Sequence, residues 1–257
     1  MHFKASMLAA AATILLAGAA QAHTFQISYG NPGEQTANSV VVSNADTLGV
    51  ENFDGLPTGN SAFNTDYGTG NVIVGHYTGT PSITGADQYG GADGTGHQIK
   101  SYNADTYTIT FTNDGSIPGV NYFGFWLSAL DHGNQLVFKN GGVTVGVYTP
   151  DDLLNALGNC PNAYCGNPTA PFLGQDSGEP FAFVNFVDLD GFFDEIDIYE
   201  DPHVGDYESD NHTVAYCSDP KACVTGNLIG APEPISLSLF GAGLAAAGFM
   251  RRRKSKA

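Results

Sequence analysis

Short runs of β-branched and aromatic residues alternate along this chain with turns rich in Gly, Asn and Asp. Thr106–Phe111 reads Thr-Tyr-Thr-Ile-Thr-Phe, so polar and apolar side chains alternate with the period of a half-buried strand. Tyr122–Leu130 is apolar or aromatic at most positions, which predicts a central strand buried on both faces. The pattern predicts an all-β chain that folds as a jelly-roll-like antiparallel β-sandwich.

Further segments share this strand pattern. The full set of predicted strands is Thr24–Tyr29, Ser39–Ser43, Gly49–Phe53, Asn71–Tyr77, Thr106–Phe111, Tyr122–Leu130, Leu136–Lys139, Val143–Tyr148, Phe181–Val187, Phe192–Tyr199 and Thr213–Tyr216. Asn140-Gly141-Gly142 predicts a tight hairpin turn, because Asn and Gly tolerate positive φ. One short peripheral helix is predicted at residues 149–158, with Thr149 as its N-cap and Gly158 at its end.

The N-terminus has the pattern of a secretory signal peptide. Lys4 precedes the apolar segment Met7–Ala20, and Ala20-Gln21-Ala22 offers the small residues that signal peptidase requires. Residues 1–22 are therefore predicted to be removed by signal peptidase during export, which makes His23 the first residue of the mature chain.

The C-terminus combines three parts in a fixed order. Pro232-Glu233-Pro234 precedes an apolar run at residues 235–250, and Arg251-Arg252-Arg253-Lys254 follows it. A helix of this length spans roughly 24 Å of a hydrocarbon core about 30 Å thick, so it crosses only if the bilayer thins or the basic side chains snorkel. The arginines are expected to stay in the cytoplasm. Residues 232–257 are thus predicted to hold a single transmembrane helix.

This tail resembles the PEP-CTERM sorting signal of bacterial exported proteins. The resemblance rests on Pro232, Glu233 and Pro234 followed by the apolar run and by Arg251, Arg252 and Arg253. It implies that exosortase, a membrane-embedded protease, recognises the triplet and removes the tail. The protein would then pass from its membrane anchor to the cell surface or the extracellular matrix.

The part of the chain between these ends is strongly acidic. Residues 23–230 contain 25 acidic residues, three lysines and no arginine, which gives a net charge of −22. Such a surface repels nucleic acid and anionic lipid, so nucleic acid is excluded as a partner. It suits Ca²⁺, neutral glycans or simple solubility.

The acidic region contains all four cysteines of the chain. Cys160 and Cys165 are close in sequence, as are Cys217 and Cys223, and an exported protein favours disulfides between such neighbours. A zinc site made by all four is the alternative, although the spacing lacks a Cys-x-x-Cys knuckle. The predicted domains are a sandwich at residues 23–216 and a disulfide-clipped linker at residues 217–231.

Two groups of acids are candidate Ca²⁺ ligands. The first is the acidic segment that contains Asp188, Asp190 and Asp194, where carboxylates two residues apart share a face of a strand. The second combines Asp54, beside an early strand, with residues beside the predicted last strand, which are Glu208, Asp210 and Asn211. An acidic solvent face and Asx turns are the alternatives, and the sequence leaves both open.

The body also resembles exosortase-dependent surface proteins of cyanobacteria and proteobacteria. The resemblance spans much of residues 85–215 and rests on segments 87–96, 122–134, 183–186 and 207–211, together with Phe138 and Gly141-Gly142. Tyr207 stands where those proteins usually have Phe. The resemblance implies a surface β-sandwich but assigns no catalytic residue.

Enzyme motifs are absent from the sequence. It has no Gly-x-Ser-x-Gly elbow, no His-Glu-x-x-His and no phosphate loop. Asp131-His132 lies near Ser128, but neighbouring strand residues point to opposite faces, so Asp131 could not easily orient His132 in a catalytic triad. We therefore interpret this segment as a turn. We therefore expect a non-catalytic surface protein associated with exopolysaccharide or biofilm. The alternative is a surface glycan hydrolase, or a carbohydrate-binding module that uses aromatic side chains among Tyr67, Tyr77, Tyr89, Tyr102 and Trp126.

Overall fold

A computed structural model describes residues 22–102, 106–202 and 205–229. The predicted sorting tail and most of the predicted signal peptide, including Ala20, lie outside these residues, whereas Ala22 and His23 lie within them. The described strands are β1 Phe25–Tyr29, β2 Thr47–Glu51, β3 Gly59–Asn60, β4 Phe63–Thr65, β5 Ile73–Gly79, β6 Ser82–Gly85, β7 His97–Tyr102, β8 Tyr107–Asn113, β9 Tyr122–Ser128, β10 Asn134–Asn140, β11 Val143–Tyr148, β12 Ala182–Asp188, β13 Glu195–Glu200, β14 Asp206–Tyr216 and β15 Asn227–Ile229. The described α-helices are α1 Ser39–Asn44 and α2 Asp151–Leu157.

The strands form two antiparallel sheets that face each other. The nine-stranded sheet has the order β15-β1-β12-β9-β14-β7-β6-β3, with β2 also paired to β14. The six-stranded sheet has the order β11-β10-β13-β8-β5-β4. Side chains from both sheets form one large apolar cluster between them. The prediction of an all-β, jelly-roll-like antiparallel sandwich is therefore confirmed.

β9 lies near the middle of the larger sheet, between β12 and β14, and all seven of its residues are buried. On the inner face, Phe123 and Phe125 pack in the main core. On the outer face, Trp126 packs with Phe181 and Phe183 beneath the loops that cover the sheet. The prediction of a central strand that is buried on both faces is confirmed.

The predicted strand at Ser39–Ser43 is wrong, because this segment is helix α1. The side chain of Asn38 accepts a hydrogen bond from the Val40 N–H and caps the helix. Val41 is fully buried in a small cluster with the Cys217–Cys223 disulfide, and the side chain of Asn44 donates to the carbonyl of Ala222. Tertiary packing thus overrides the strand preference of three consecutive valines.

Other boundaries also differ from the prediction. β14 begins at Asp206 instead of Thr213, and β13 begins at Glu195 instead of Phe192. Five strands of the described fold were not predicted, namely β3, β4, β6, β7 and β15. Helix α2 is present where one was predicted, but its N-cap is Pro150 and not Thr149; Gly158, at φ 80°, ends it as expected.

The cysteines pair locally, as Cys160–Cys165 and Cys217–Cys223. Both members of the second pair are fully buried against the outer face of the larger sheet. After this pair, β15 adds to the sheet beside β1. The described part of the predicted linker is therefore packed as part of the sandwich.

The helices of the described residues are all short. Within those residues, no helix has the length and apolar character that a bilayer span requires. The predicted transmembrane segment at residues 235–250 lies outside the described residues.

Candidate functional site

A cavity of about 320 Å³ opens where β9 ends and β14 begins. We call it the acidic pocket, because four of the seven residues that line it carry a carboxyl group. The lining residues are Tyr89, Ala129, Asp131, Glu179, Gly205, Asp206 and Glu208. Asp206 and Glu208 lie two residues apart on β14, so both side chains point to the same face of the sheet. The pocket thus combines several carboxyl groups with one aromatic ring.

Lys100 on β7 supplies a positive charge next to this pocket. Its Nζ lies 3.3 Å from the carboxylate of Glu208 and 2.9 Å from that of Asp87. Burial alone would lower the pKa of Lys100, but Glu208 and Asp87 outweigh burial and raise it. The same Nζ lies 5.8 Å from the ring centroid of Tyr89. The lysine therefore links the wall of the pocket to the aromatic side chain at its edge.

Tyr89 is the exposed aromatic of this pocket, with 43% of its surface accessible. Of the other aromatics proposed to contact sugars, Tyr67, Tyr77 and Trp126 are at most 2% exposed and belong to the core. Tyr102 is half-buried at the end of β7. Among that predicted set, Tyr89 is the side chain that combines exposure with a lined cavity.

The carboxyl groups around the pocket hold their protons more tightly than usual. Burial, with the charges of Asp176 and Asp206, raises the pKa of Asp131 to about 6, although His132 opposes the shift. Burial raises the pKa of Glu208 to about 7, although Lys100 opposes that shift. Burial also raises the pKa of Glu179, and Asp176 adds to the effect. Near neutral pH, Glu179 and Glu208 are partly protonated and can donate as well as accept hydrogen bonds, whereas Asp131 is mainly an ionised acceptor.

Glu200, at the end of β13, lies close to these acids. It is 1% exposed, and burial together with the charges of Asp131 and Asp206 raises its pKa to about 8. Its Oε1 accepts a hydrogen bond from Asn134 Nδ2 at 3.4 Å, whereas its Oε2 has no hydrogen-bond partner in the described part of the chain. Neither Glu179 nor Glu200 was a predicted site residue.

The structure brings Asp54 and Asp210 into electrostatic range of each other but places Glu208 in the acidic pocket instead. Asp54 accepts a hydrogen bond from the His97 N–H at 2.8 Å. Asp210 accepts from the Ala92 N–H at 2.7 Å, and burial raises its pKa to about 7. Both carboxylates therefore position loops through backbone hydrogen bonds.

The other predicted ligands of these groups have separate contacts. The amide of Asn211 donates to the carbonyl of Gln35 at 2.9 Å. Asp194 accepts from the Gly141 N–H at 2.9 Å and so closes the turn between β10 and β11. Ca²⁺ binding by the predicted residues stays a prediction.

Asp188 and Asp190 do lie together, and they meet His23. The Nδ1 atom of His23 is 2.6 Å from Asp188 Oδ2. One ligand atom from each of the three residues lies within 4.8 Å of the other two. The sequence prediction included both aspartates as metal ligands but included His23 only as the residue after the signal peptide.

Asp131, His132 and Ser128 do not form a catalytic triad. The ring of His132 is exposed and makes its contact with Asp151, at 2.9 Å, rather than with Asp131. Ser128 is buried, and its hydroxyl has no hydrogen-bond partner within the described ranges. The interpretation of this segment as a turn agrees with this geometry.

One family model matches the chain, over residues 231–254, and its description is the PEP-CTERM protein-sorting motif. The chain carries a PEP-CTERM sorting signal. This signal supports an exported protein that is sorted to the cell surface by way of a membrane anchor. This match does not extend to residues 85–215, so their resemblance to exosortase-dependent surface proteins stays a prediction.

Comparison with solved structures gave matches to a carbohydrate-binding module. Three mutants of CBM29-2, which probe ligand recognition by family 29 carbohydrate binding modules, share 14%, 13% and 13% identity with this chain, at TM-scores of 0.30, 0.31 and 0.31. Each match covers 70% of this chain and 96–98% of the module. A likeness at this level does not extend to function. No curated protein matches the chain.

Proposed function

We propose that this is a non-catalytic surface protein, processed by exosortase, whose β-sandwich binds exopolysaccharide at the acidic pocket. The observation that carries the proposal is the pocket itself, in which the exposed ring of Tyr89 borders carboxyl groups that can donate and accept hydrogen bonds. Sugar-binding sites commonly combine ring stacking with a few convergent polar groups. The net charge of −22 on residues 23–230 favours a neutral polysaccharide over an anionic one.

Glycan binding is tested by titrating neutral exopolysaccharide fractions into the full chain and into two tyrosine variants. We expect Tyr89→Ala to weaken binding by about tenfold, because a stacked aromatic contributes roughly 1–2 kcal/mol. Tyr199→Ala is the matched control, since Tyr199 is half-buried on the six-stranded sheet and bonds Gln135. Equal affinity of the Tyr89→Ala variant and the wild type would refute the role of the pocket.

Sorting is tested separately, by deletions in cells that contain exosortase. Deletion of residues 232–257 removes the matched motif and is expected to abolish retention at the cell surface, as measured by fractionation. Deletion of residues 255–257 leaves the matched residues 231–254 intact and should sort normally. Unchanged surface retention after the longer deletion would reject exosortase-dependent sorting.

Glycan hydrolysis is the second candidate, and the raised pKa of Glu179 is the observation that favours it. Burial, with Asp176 beside it, raises this pKa, which is the condition for a general acid near neutral pH. Incubation of the full chain with polysaccharides and assay of new reducing ends distinguishes the two functions. Steady turnover that Glu179→Gln abolishes would establish an enzyme and overturn the non-catalytic proposal.

A further inference from the structure

The loop that follows β12 folds around the side chain of His23. The N–H groups of Asp190 and Gly191 both donate to Asp188 Oδ1, at 3.3 and 3.0 Å, and the other oxygen of Asp188 faces the His23 ring. The N–H of Thr24 donates to Asp190 Oδ1 at 3.0 Å. A Cβ on Gly191 would come within 2.3 Å of the His23 ring, so glycine allows the loop to close on the imidazole. Backbone groups therefore fix the orientation of both carboxylates.

These three side chains form a compact set of metal-ligand atoms. One ring nitrogen and two carboxylate oxygens lie within 4.8 Å of one another. Asp188 is fully buried and the ring of His23 is 18% exposed, whereas Asp190 lies at the surface. The arrangement offers both a fixed interior ligand and a path by which an ion can enter.

The donor set selects the kind of ion. An imidazole nitrogen with two carboxylates suits Zn²⁺, which binds both donor types at about 2.0–2.2 Å, whereas Ca²⁺ takes oxygen ligands. Backbone N–H groups that bond the carboxylates act as the outer shell that orients metal ligands. The ion would replace the direct contact of 2.6 Å between His23 Nδ1 and Asp188 Oδ2, so that both atoms become its ligands.

Export itself changes the donor set. In the uncleaved chain the nitrogen of His23 is a peptide N–H, and it donates to the carbonyl of Val145 at 3.0 Å. Cleavage after Ala22, as the sequence predicts, turns this nitrogen into an α-amine. An amine and an Nδ1 atom of one histidine can close a chelate ring around a single ion, which supplies a fourth donor.

We propose that His23, Asp188 and Asp190 bind one Zn²⁺ ion, and that removal of the signal peptide completes the site by freeing the α-amino group of His23. The site shares no residue with the acidic pocket, so a negative result for Zn²⁺ binding would not affect the proposal of glycan binding. Its amine donor rests on the predicted cleavage after Ala22, and intact mass spectrometry of the exported protein checks that cleavage directly.

The test is a titration of Zn²⁺ alone into the exported protein after treatment with a chelator. We expect one bound ion per chain by elemental analysis and calorimetry, and a melting temperature that rises with Zn²⁺ concentration. Ca²⁺ should not compete. Absence of saturable Zn²⁺ binding, or displacement of Zn²⁺ by equimolar Ca²⁺, would overturn the site.

Variants locate the ion. Asp190→Asn changes a surface residue and should weaken Zn²⁺ binding by at least about tenfold without loss of folding. Asp194→Asn is the matched control, because Asp194 bonds the Gly141 N–H instead, and its affinity should equal that of the wild type. Wild-type affinity in the Asp190→Asn variant would reject the proposed ligands.

A third variant isolates the amine. Ala22→Phe removes a small residue that signal peptidase requires and so keeps the His23 nitrogen in a peptide bond. This uncleaved chain should bind Zn²⁺ at least about tenfold more weakly than the cleaved chain. Equal affinity of the two chains would reject the contribution of the amine.

Discussion

Tyr77 and His212 join the two sheets through the core, because the phenolic oxygen of Tyr77 lies 2.9 Å from Nδ1 of His212. Tyr77 belongs to β5 of the smaller sheet and His212 to β14 of the larger one. The second ring nitrogen of His212 lies 2.9 Å from the hydroxyl of Ser209, so both nitrogens have partners. Phe53 and Phe123 pack edge-on against the imidazole.

This relationship predicts a stability that depends on pH. Burial lowers the pKa of His212 from 6.5 to about 3, so the neutral ring stabilises the fold above pH 6.5 and this contribution is lost as pH falls toward 3. Relative to a His212→Gln variant, the wild type should lose about 1.4 kcal/mol of unfolding free energy for each pH unit below about 6.5. Denaturant titrations of both proteins at several pH values measure the difference. Parallel pH profiles would contradict a neutral buried imidazole.

The Lys100–Glu208 ion pair is expected to matter more than the Lys139–Glu195 pair. The side chains of the first pair are 7% and 6% exposed, and those of the second are 24% and 27% exposed. Lys100→Met leaves a buried carboxylate without its cation and should cost about 3–5 kcal/mol above about pH 8. The cost should shrink as pH falls below about 7, where Glu208 takes up a proton. Lys139→Met should cost about 1 kcal/mol or less. Equal losses of unfolding free energy in the two variants would refute this ranking.

The two disulfides close loops of almost the same size, with sequence separations of 6 and 5, so packing should decide which one stabilises more. Cys217 and Cys223 are fully buried in a cluster with Val41. Replacing both by Ala should cost about 2–5 kcal/mol, through lost cross-linking and an added cavity. The same change at Cys160 and Cys165, in a more exposed loop, should cost less. Thermal unfolding of the two double variants tests the order, and the reverse order would contradict it.

Gly49 and Gly55 are close in sequence but differ in the space around them. A Cβ on Gly49 would lie 2.4 Å from the backbone carbonyl oxygen of Tyr67, which cannot move aside, whereas a Cβ on Gly55 would meet nothing within 4 Å. Gly49→Ala should therefore cost about 1–3 kcal/mol, and Gly55→Ala should stay within about 0.5 kcal/mol of the wild type. Chemical denaturation of both variants measures this contrast. A tolerated Gly49→Ala would show that β2 can shift relative to the Tyr67 turn.

Sequence patterns predicted the architecture well where the side-chain period was clear. The alternation at Thr106–Phe111 and the apolar run at Tyr122–Leu130 became β8 and β9. The pattern failed at Ser39–Ser43, because three valines favour a strand locally while the Asn38 cap and the packing of Val41 decide for a helix. It missed β7, because His97-Gln-Ile-Lys-Ser-Tyr is largely polar and is buried by contacts that are distant in sequence.

The acidic pocket was out of reach of sequence reasoning for a similar reason. Its side chains come from segments far apart in the chain, which only the sheet order brings together. One signal was available in Lys100, which is one of three lysines in a body with 25 acids. A lysine within so acidic a β domain is a candidate for a buried ion pair. The partners of Lys100 are Asp87 and Glu208, and Glu208 lines the pocket.

The pairing of β15 with β1 has a mechanical consequence. Ile229 lies opposite Ile27 and Asn227 opposite Tyr29, so the chain leaves β15 toward the end of β1 at which His23 lies. Tension from a membrane tether at the C-terminal side would therefore act first on the pair Ile27–Ile229. The other two pairs between β1 and β15 would bear the tension after that pair separates. The Cys217–Cys223 cross-link stands directly before that edge strand. β15 would detach first under load, and the pull would then pass to Cys223, which its bond to Cys217 ties to the end of β14.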